Sequence, residues 1–152
     1  MAVRTLLRMG DPRLLETARP VAAFDTPELH DLVADMFDAM KREHGLGLAA
    51  PQVGASVRLF VTDVENDKPR VFVNPEIIQT SQEESDYEEG CLSFPGLYTN
   101  VRRPSAVRIQ AFNERGRPFT VDAEGLLARV ILHENDHLDG KLFVDRLSEP
   151  RR

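Results

Sequence analysis

The sequence predicts an α+β fold: antiparallel or mixed β-sheets packed around a central helix that carries His-Glu-x-x-His, with one long amphipathic helix towards the N-terminus. Three observations lead there. Helical periodicity occurs in two separate stretches, one early and one late. The strand-like segments between them mostly neighbour one another in sequence. One pair of these is joined by a short turn-forming run, Asn113-Glu114-Arg115-Gly116.

Taken in order, Asp11-Pro12 opens a short helical turn through Leu14 and Leu15. The first long helix starts at Thr26-Pro27, a capping residue followed by proline at the first helical position. Leu29, Leu32, Val33, Met36, Phe37 and Met40 follow the i, i+3, i+4, i+7 spacing of one buried stripe. Gly45 is expected to end this helix, with His44 in its last turn, suited to the helix dipole. Val57 to Val64 and Arg70 to Val73 are rich in β-branched and aromatic residues and read as strands. Ala106 to Phe112 and Pro118 to Val121 read as a hairpin. The second long helix runs from about Gly125 to Leu138, with Gly140 as its stop. The acidic stretch Glu83, Glu84, Asp86, Glu88 and Glu89 reads as a solvated strand or loop.

A chain of 152 residues, 41% hydrophobic and 29% charged, has the size and composition of one globular domain, expected to span residues 1–152. A net charge of −6 argues against a protein held to nucleic acid by phosphate contacts. No apolar run approaches the roughly 20 residues that cross a bilayer. Arg4, Leu6, Leu7 and Arg8 resemble the start of a targeting segment, but Gly10-Asp11-Pro12 interrupts it. One cysteine, Cys91, leaves no internal disulfide and suits a reducing compartment, so a cytoplasmic location is expected.

The chemistry concentrates in His133-Glu134-Asn135-Asp136-His137. Residues four apart on a helix share a face, so His133 and His137 can hold one metal ion, with Glu134 beside them as a general base. Two solvated histidines on a surface helix would look the same, but Val130, Ile131 and Leu138 make this helix apolar. A catalytic metal usually has three protein ligands and one open position. Downstream, Phe143 stands where one large group of His-Glu-x-x-His proteases has its third histidine, and Glu149 lies in a short polar tail. Asp139 and Asp145 offer no structural logic as ligands. Upstream, Cys91 follows Gly90, which permits an unusual backbone angle. A thiolate with two imidazoles suits Fe(II), Zn, Co or Ni. Taken alone, Cys91 reads first as a small buried hydrophobe, as most lone cysteines are; beside a His-Glu-x-x-His that lacks its third ligand, the ligand reading takes precedence.

Three segments together resemble the peptide deformylases: Gly45-Leu46-Gly47-Leu48-Ala49-Ala50-Pro51-Gln52, then Glu89-Gly90-Cys91-Leu92-Ser93, then His133-Glu134-Asn135-Asp136-His137-Leu138. They occur in family order. The flanking Gly10-Asp11-Pro12-Arg13-Leu14 and Gly140-Lys141-Leu142-Phe143 extend the likeness over nearly the whole chain. The resemblance implies removal of the N-formyl group from N-formylmethionyl nascent polypeptides, with release of formate. It implies one divalent metal ion per chain, natively Fe(II) with Zn, Ni or Co as substitutes, held by Cys91, His133 and His137. Water at the open position would attack the formyl carbon, with Glu134 taking its proton and delivering it to the leaving amine. Gln52 and the Leu92 backbone N–H would stabilise the oxyanion. The segment from Gly45 through Leu46 to Gly47 would pair with the substrate as an added strand. Leu46, Leu126, Val130 and His133 would line the methionine pocket, with Phe94 a weaker candidate; simple core packing is the other reading of these positions. Asp136 is expected to pair with Arg103 and steady the metal helix.

The chain departs from the family in places. Leu132 replaces a usual Gln, and Arg129 stands where many members carry an aliphatic residue; a rim arginine lying over the surface is the expectation there. Some relatives continue into a basic helix that docks on the ribosome; Arg146, Arg151 and Arg152 give only weak support for such a partner. A metalloprotease or other amidohydrolase with the same site is the second reading, and a catalytically idle binder of formylated termini the third.

Overall fold

The computed structural model describes residue 14, residues 16–91 and residues 94–141, without the side chains of 85–91 and 94–102. The expected turn around Asp11-Pro12, apart from Leu14, lies outside the described residues, as does the tail from residue 142 onward.

Helix α1 spans Pro27–Arg42, and the Thr26 hydroxyl accepts a 3.1 Å hydrogen bond from the Leu29 N–H, as an N-cap should. Its end differs from the expectation. The residue in the left-handed region is His44 (φ 58°), one position before Gly45. The Gly45 N–H returns to the Met40 carbonyl and the His44 N–H to that of Lys41, which completes a Schellman motif. His44 is therefore past the helix, not in its last turn.

Seven strands follow one another: β1 (Gly47–Ala49), β2 (Leu59–Thr62), β3 (Arg70–Thr80), β4 (Glu84–Cys91), β5 (Phe94–Pro104), β6 (Ala106–Phe112) and β7 (Pro118–Glu124). Their order is β1-β2-β3-β6-β7 in a five-stranded sheet and β4-β5 in a separate two-stranded one, antiparallel throughout. The β4–β5 hairpin is thus an excursion between two sheet neighbours. Ser81 Oγ at its base accepts from the Ser105 and Ala106 N–H groups and donates to the Glu83 carbonyl.

The sheet is covered on both faces. Leu48, Leu59, Val61 and Val73 pack with Leu29, Leu32, Val33, Met36 and Met40 of α1. Their alternating neighbours Ala49, Phe60 and Phe72 pack with Ala128, Ile131 and Leu138 of helix α2 (Gly125–Leu138). Phe60 stacks on Phe72 at 4.6 Å between ring centroids. Burial on both sides explains why β2 reads as an unbroken apolar run.

Strand β3 runs beyond its expected end at Val73. Asn74 (φ 50°) makes a bulge there, and its side-chain amide replaces a strand partner: Oδ1 accepts from the Val21 N–H at 2.7 Å, and Nδ2 donates to the Val21 carbonyl at 3.1 Å. The acidic stretch is ordered as strand β4. Gly140 (φ 73°) closes α2 as expected.

Candidate active site

Helix α2 carries the candidate site because its buried positions combine apolar residues with two histidines and a glutamate. Leu126 is 38% exposed at its start; Val130, His133, Glu134 and His137 are buried further along. The imidazole rings of His133 and His137 are 5.3 Å apart between centroids, tilted by 56°. Burial, reinforced by the neighbouring His133 and then Arg103, holds His137 well below the usual imidazole value of 6.5, so the ring is neutral. A neutral imidazole is the form that can donate a lone pair to a metal.

Edge strand β1 lies against this face. A Cβ placed on Gly47 would come within 2.7 Å of Val130 Cγ1, 2.9 Å of Glu134 Cγ and 3.0 Å of Glu134 Oε2. Only glycine lets the β1 backbone approach the carboxylate this closely. The chain then enters a 3₁₀ turn, Ala50–Val53, that packs against α2. In that turn Gln52 is 1% exposed, and its Oε1 accepts a 3.0 Å hydrogen bond from the Ala49 N–H. That bond fixes which end of the amide is the acceptor and orients the NH₂ as the donor end. Leu46, between Gly45 and the start of β1, is 42% exposed.

The structure therefore brings Gly47, Val130 and Glu134 into contact and sets His133 beside His137. Cys91 ends β4, but its side chain, all of Leu92, and the Phe94 side chain lie outside the described residues. Among the described residues no three His, Cys, Asp or Glu side chains gather into a metal-sized group.

Arg103 Nη1 donates to Asp136 Oδ2 at 2.9 Å, with both side chains largely buried, so the expected pair is present. Arg129 corrects its expectation: at 6% exposure it is buried in α2 rather than lying over the surface. One contact at the end of α2 had no signal in the sequence. Arg58, just before β2, donates to the Leu138 carbonyl and to Asp139 Oδ1, both at 3.0 Å. Its partners are distant along the chain, and no spacing rule connects them.

A family profile described as polypeptide deformylase matches residues 3–152. A peptide deformylase of Azotobacter vinelandii is 51% identical over 154 residues, covering 100% of this chain and 91% of its own. The crystal structure of peptide deformylase from Thermotoga maritima matches with a TM-score of 0.94 at 41% identity, over 98% of this chain and 100% of its own. A class I type b peptide deformylase from Acinetobacter baumannii, crystallised with Met-Ala-Ser bound, matches with a TM-score of 0.93 at 33% identity, over 96% and 99% of the two chains. No described helix is long and apolar enough to cross a membrane. The chain belongs to the peptide deformylase family, hydrolases that act on the formyl amide.

Proposed function

We propose that this chain, as one catalytic domain, removes the formyl group from N-formylmethionyl nascent polypeptides using one divalent metal, natively Fe(II), with Zn, Ni or Co able to replace it. The observation that carries this reading is the Glu134 carboxylate held against the Gly47 backbone beside two buried imidazoles. The donor set fits a metal: His133 and His137 stand one helical turn apart, and His137 is held neutral. Cys91 would supply the third ligand. When bound, the ion would supply Lewis acidity that polarises the formyl carbonyl and makes a water reactive near neutral pH.

The chain's own residues do the rest. Glu134 accepts the proton released as water adds to the formyl carbon and passes it to the departing nitrogen, so formate and a free amine result. Gln52 Nε2 and the Leu92 N–H donate to the oxygen that gains charge. Gly45, Leu46 and Gly47 lead into edge strand β1, to which a peptide can add as a strand. Leu46 and Leu126, apolar yet exposed, with Val130 and His133, form the walls that would take a methionine side chain. The peptide named in the A. baumannii structure, Met-Ala-Ser, is of the expected product type.

The test is anaerobic incubation of the Fe(II)- or Ni(II)-loaded protein with formyl-Met-Ala-Ser. Formate and free Met-Ala-Ser should appear in equal amounts. Cleavage between Met and Ala would favour a protease, and absence of formate would overturn the reading.

A further inference from the structure

His137 sits in the last turn of α2, and the carbonyls of Asp136, His137 and Leu138 in that turn are engaged. The Asp136 carbonyl accepts from the Lys141 N–H at 2.9 Å and the His137 carbonyl from the Gly140 N–H at 3.2 Å. The Leu138 carbonyl accepts from the Ala18 N–H at 2.8 Å and from Arg58 Nη1 at 3.0 Å, while Arg58 Nη2 reaches Asp139 Oδ1. On the other side of His137, Asp136 is gripped by Arg103 from the end of β5, with side chains 4% and 11% exposed. The residues immediately before and after His137 are thus each tied to an arginine, Asp136 to Arg103 of the separate hairpin and Leu138 to Arg58, which leads into β2 of the five-stranded sheet.

We propose that Arg58 and Arg103 are positioning residues that brace His137 from two sides, setting its ring for metal binding; this rests on the reading of His137 as a ligand given above. Arg58 acts through the helix end: a guanidinium there completes the hydrogen bonding of the last carbonyl and offsets the negative end of the helix dipole. Arg103 acts through Asp136 and joins the strand pair that bears Cys91 to the helix that bears the histidines. Both would therefore fix the placement of ligands relative to one another without touching the reacting atoms. Loss of partners that orient a metal ligand typically costs about 10- to 100-fold in metal affinity.

The experiment compares wild type with Arg58→Met, Arg58→Lys, Arg103→Met and Arg103→Lys. Arg108→Gln is the control, since its pair with Asp122 is exposed and lies on β6 and β7. Each protein is loaded with Co(II); the visible ligand-field spectrum and the rate of Co(II) loss to excess EDTA are recorded, with metal-free thermal stability alongside. Both methionine variants should release Co(II) about 10- to 100-fold faster with altered bands. The lysine variants should fall between these and wild type, and Arg108→Gln should match wild type. Wild-type release and spectrum in a folded methionine variant overturn the role of that arginine. Where a methionine variant does not fold, the lysine variant decides, and unchanged release overturns the proposal. A wild-type chain that takes up no Co(II) overturns the metal reading itself and the brace with it.

Discussion

Gly47 and Glu134 show how much one hydrogen atom in place of a methyl group can decide. The space where a Cβ would stand is filled by Val130 and the Glu134 carboxylate, so Gly47→Ala must push that carboxylate or the strand aside. We expect kcat/KM on a formyl-Met peptide to fall about 10²-fold or more, the scale on which small displacements of a catalytic group act, with the fold retained by circular dichroism. Glu134→Ala should lose about 10²- to 10⁴-fold in kcat while metal content by atomic emission stays near one ion per chain. Normal turnover in either variant would remove that residue from the mechanism. The histidines and Glu134 could be picked out from spacing alone, and Gln52 from the family resemblance. The reason Gly47 is required could not, because it lies in a contact across the fold.

At the scale of elements, the two helices end in the same motif with different residues. Gly140 takes the left-handed position after α2 without cost, whereas His44 takes it after α1. A left-handed non-glycine residue costs about 1–2 kcal/mol, so His44→Gly should stabilise the protein by about 1 kcal/mol, read from the urea midpoint at constant m. The turn between β2 and β3 supplies a pH dependence. Asp67 accepts from Arg70 Nε at 2.8 Å and Nη2 at 2.9 Å, and this fork lowers its pKa from the ordinary 3.8. A lowered folded-state pKa stabilises above the unfolded value and is lost as pH falls through the folded one. Asp67→Asn should therefore melt below wild type at pH 7, and the gap should close as pH falls below 3.8. A gap independent of pH would refute the account. Helix α2 was legible almost to the residue because periodicity and a terminal glycine agree. The β4–β5 pair was not, because Glu84, Asp86, Glu88 and Glu89 carry no apolar alternation and their strand character comes from the partner strand.

For the whole molecule, the governing fact is a sheet with a helix on each face. That arrangement buries β2 completely and leaves Thr62 at 0% exposure with no hydrogen-bond partner for its hydroxyl among the described residues. An unsatisfied buried hydroxyl costs about 1–3 kcal/mol, so Thr62→Val should raise stability by about 1 kcal/mol in denaturant titration. Unchanged or lower stability would mean that the hydroxyl is satisfied in solution. The α+β class and the order of the motifs were readable because they are local patterns. The two-sided packing and the long reach of Arg58 were not, since both are set by strand order.

That strand order has a consequence for how such a protein can vary. β3 and β6 pair directly although the whole β4–β5 hairpin intervenes, pinned at its root by Ser81 and Ser105. Loop-closure entropy rises only with the logarithm of length, so lengthening or rewriting the hairpin costs the sheet little. Changes in the hairpin away from Cys91 and Arg103 can thus accumulate while the histidine-bearing helix and the sheet stay under tight constraint. Such changes would carry small thermodynamic risk to the scaffold.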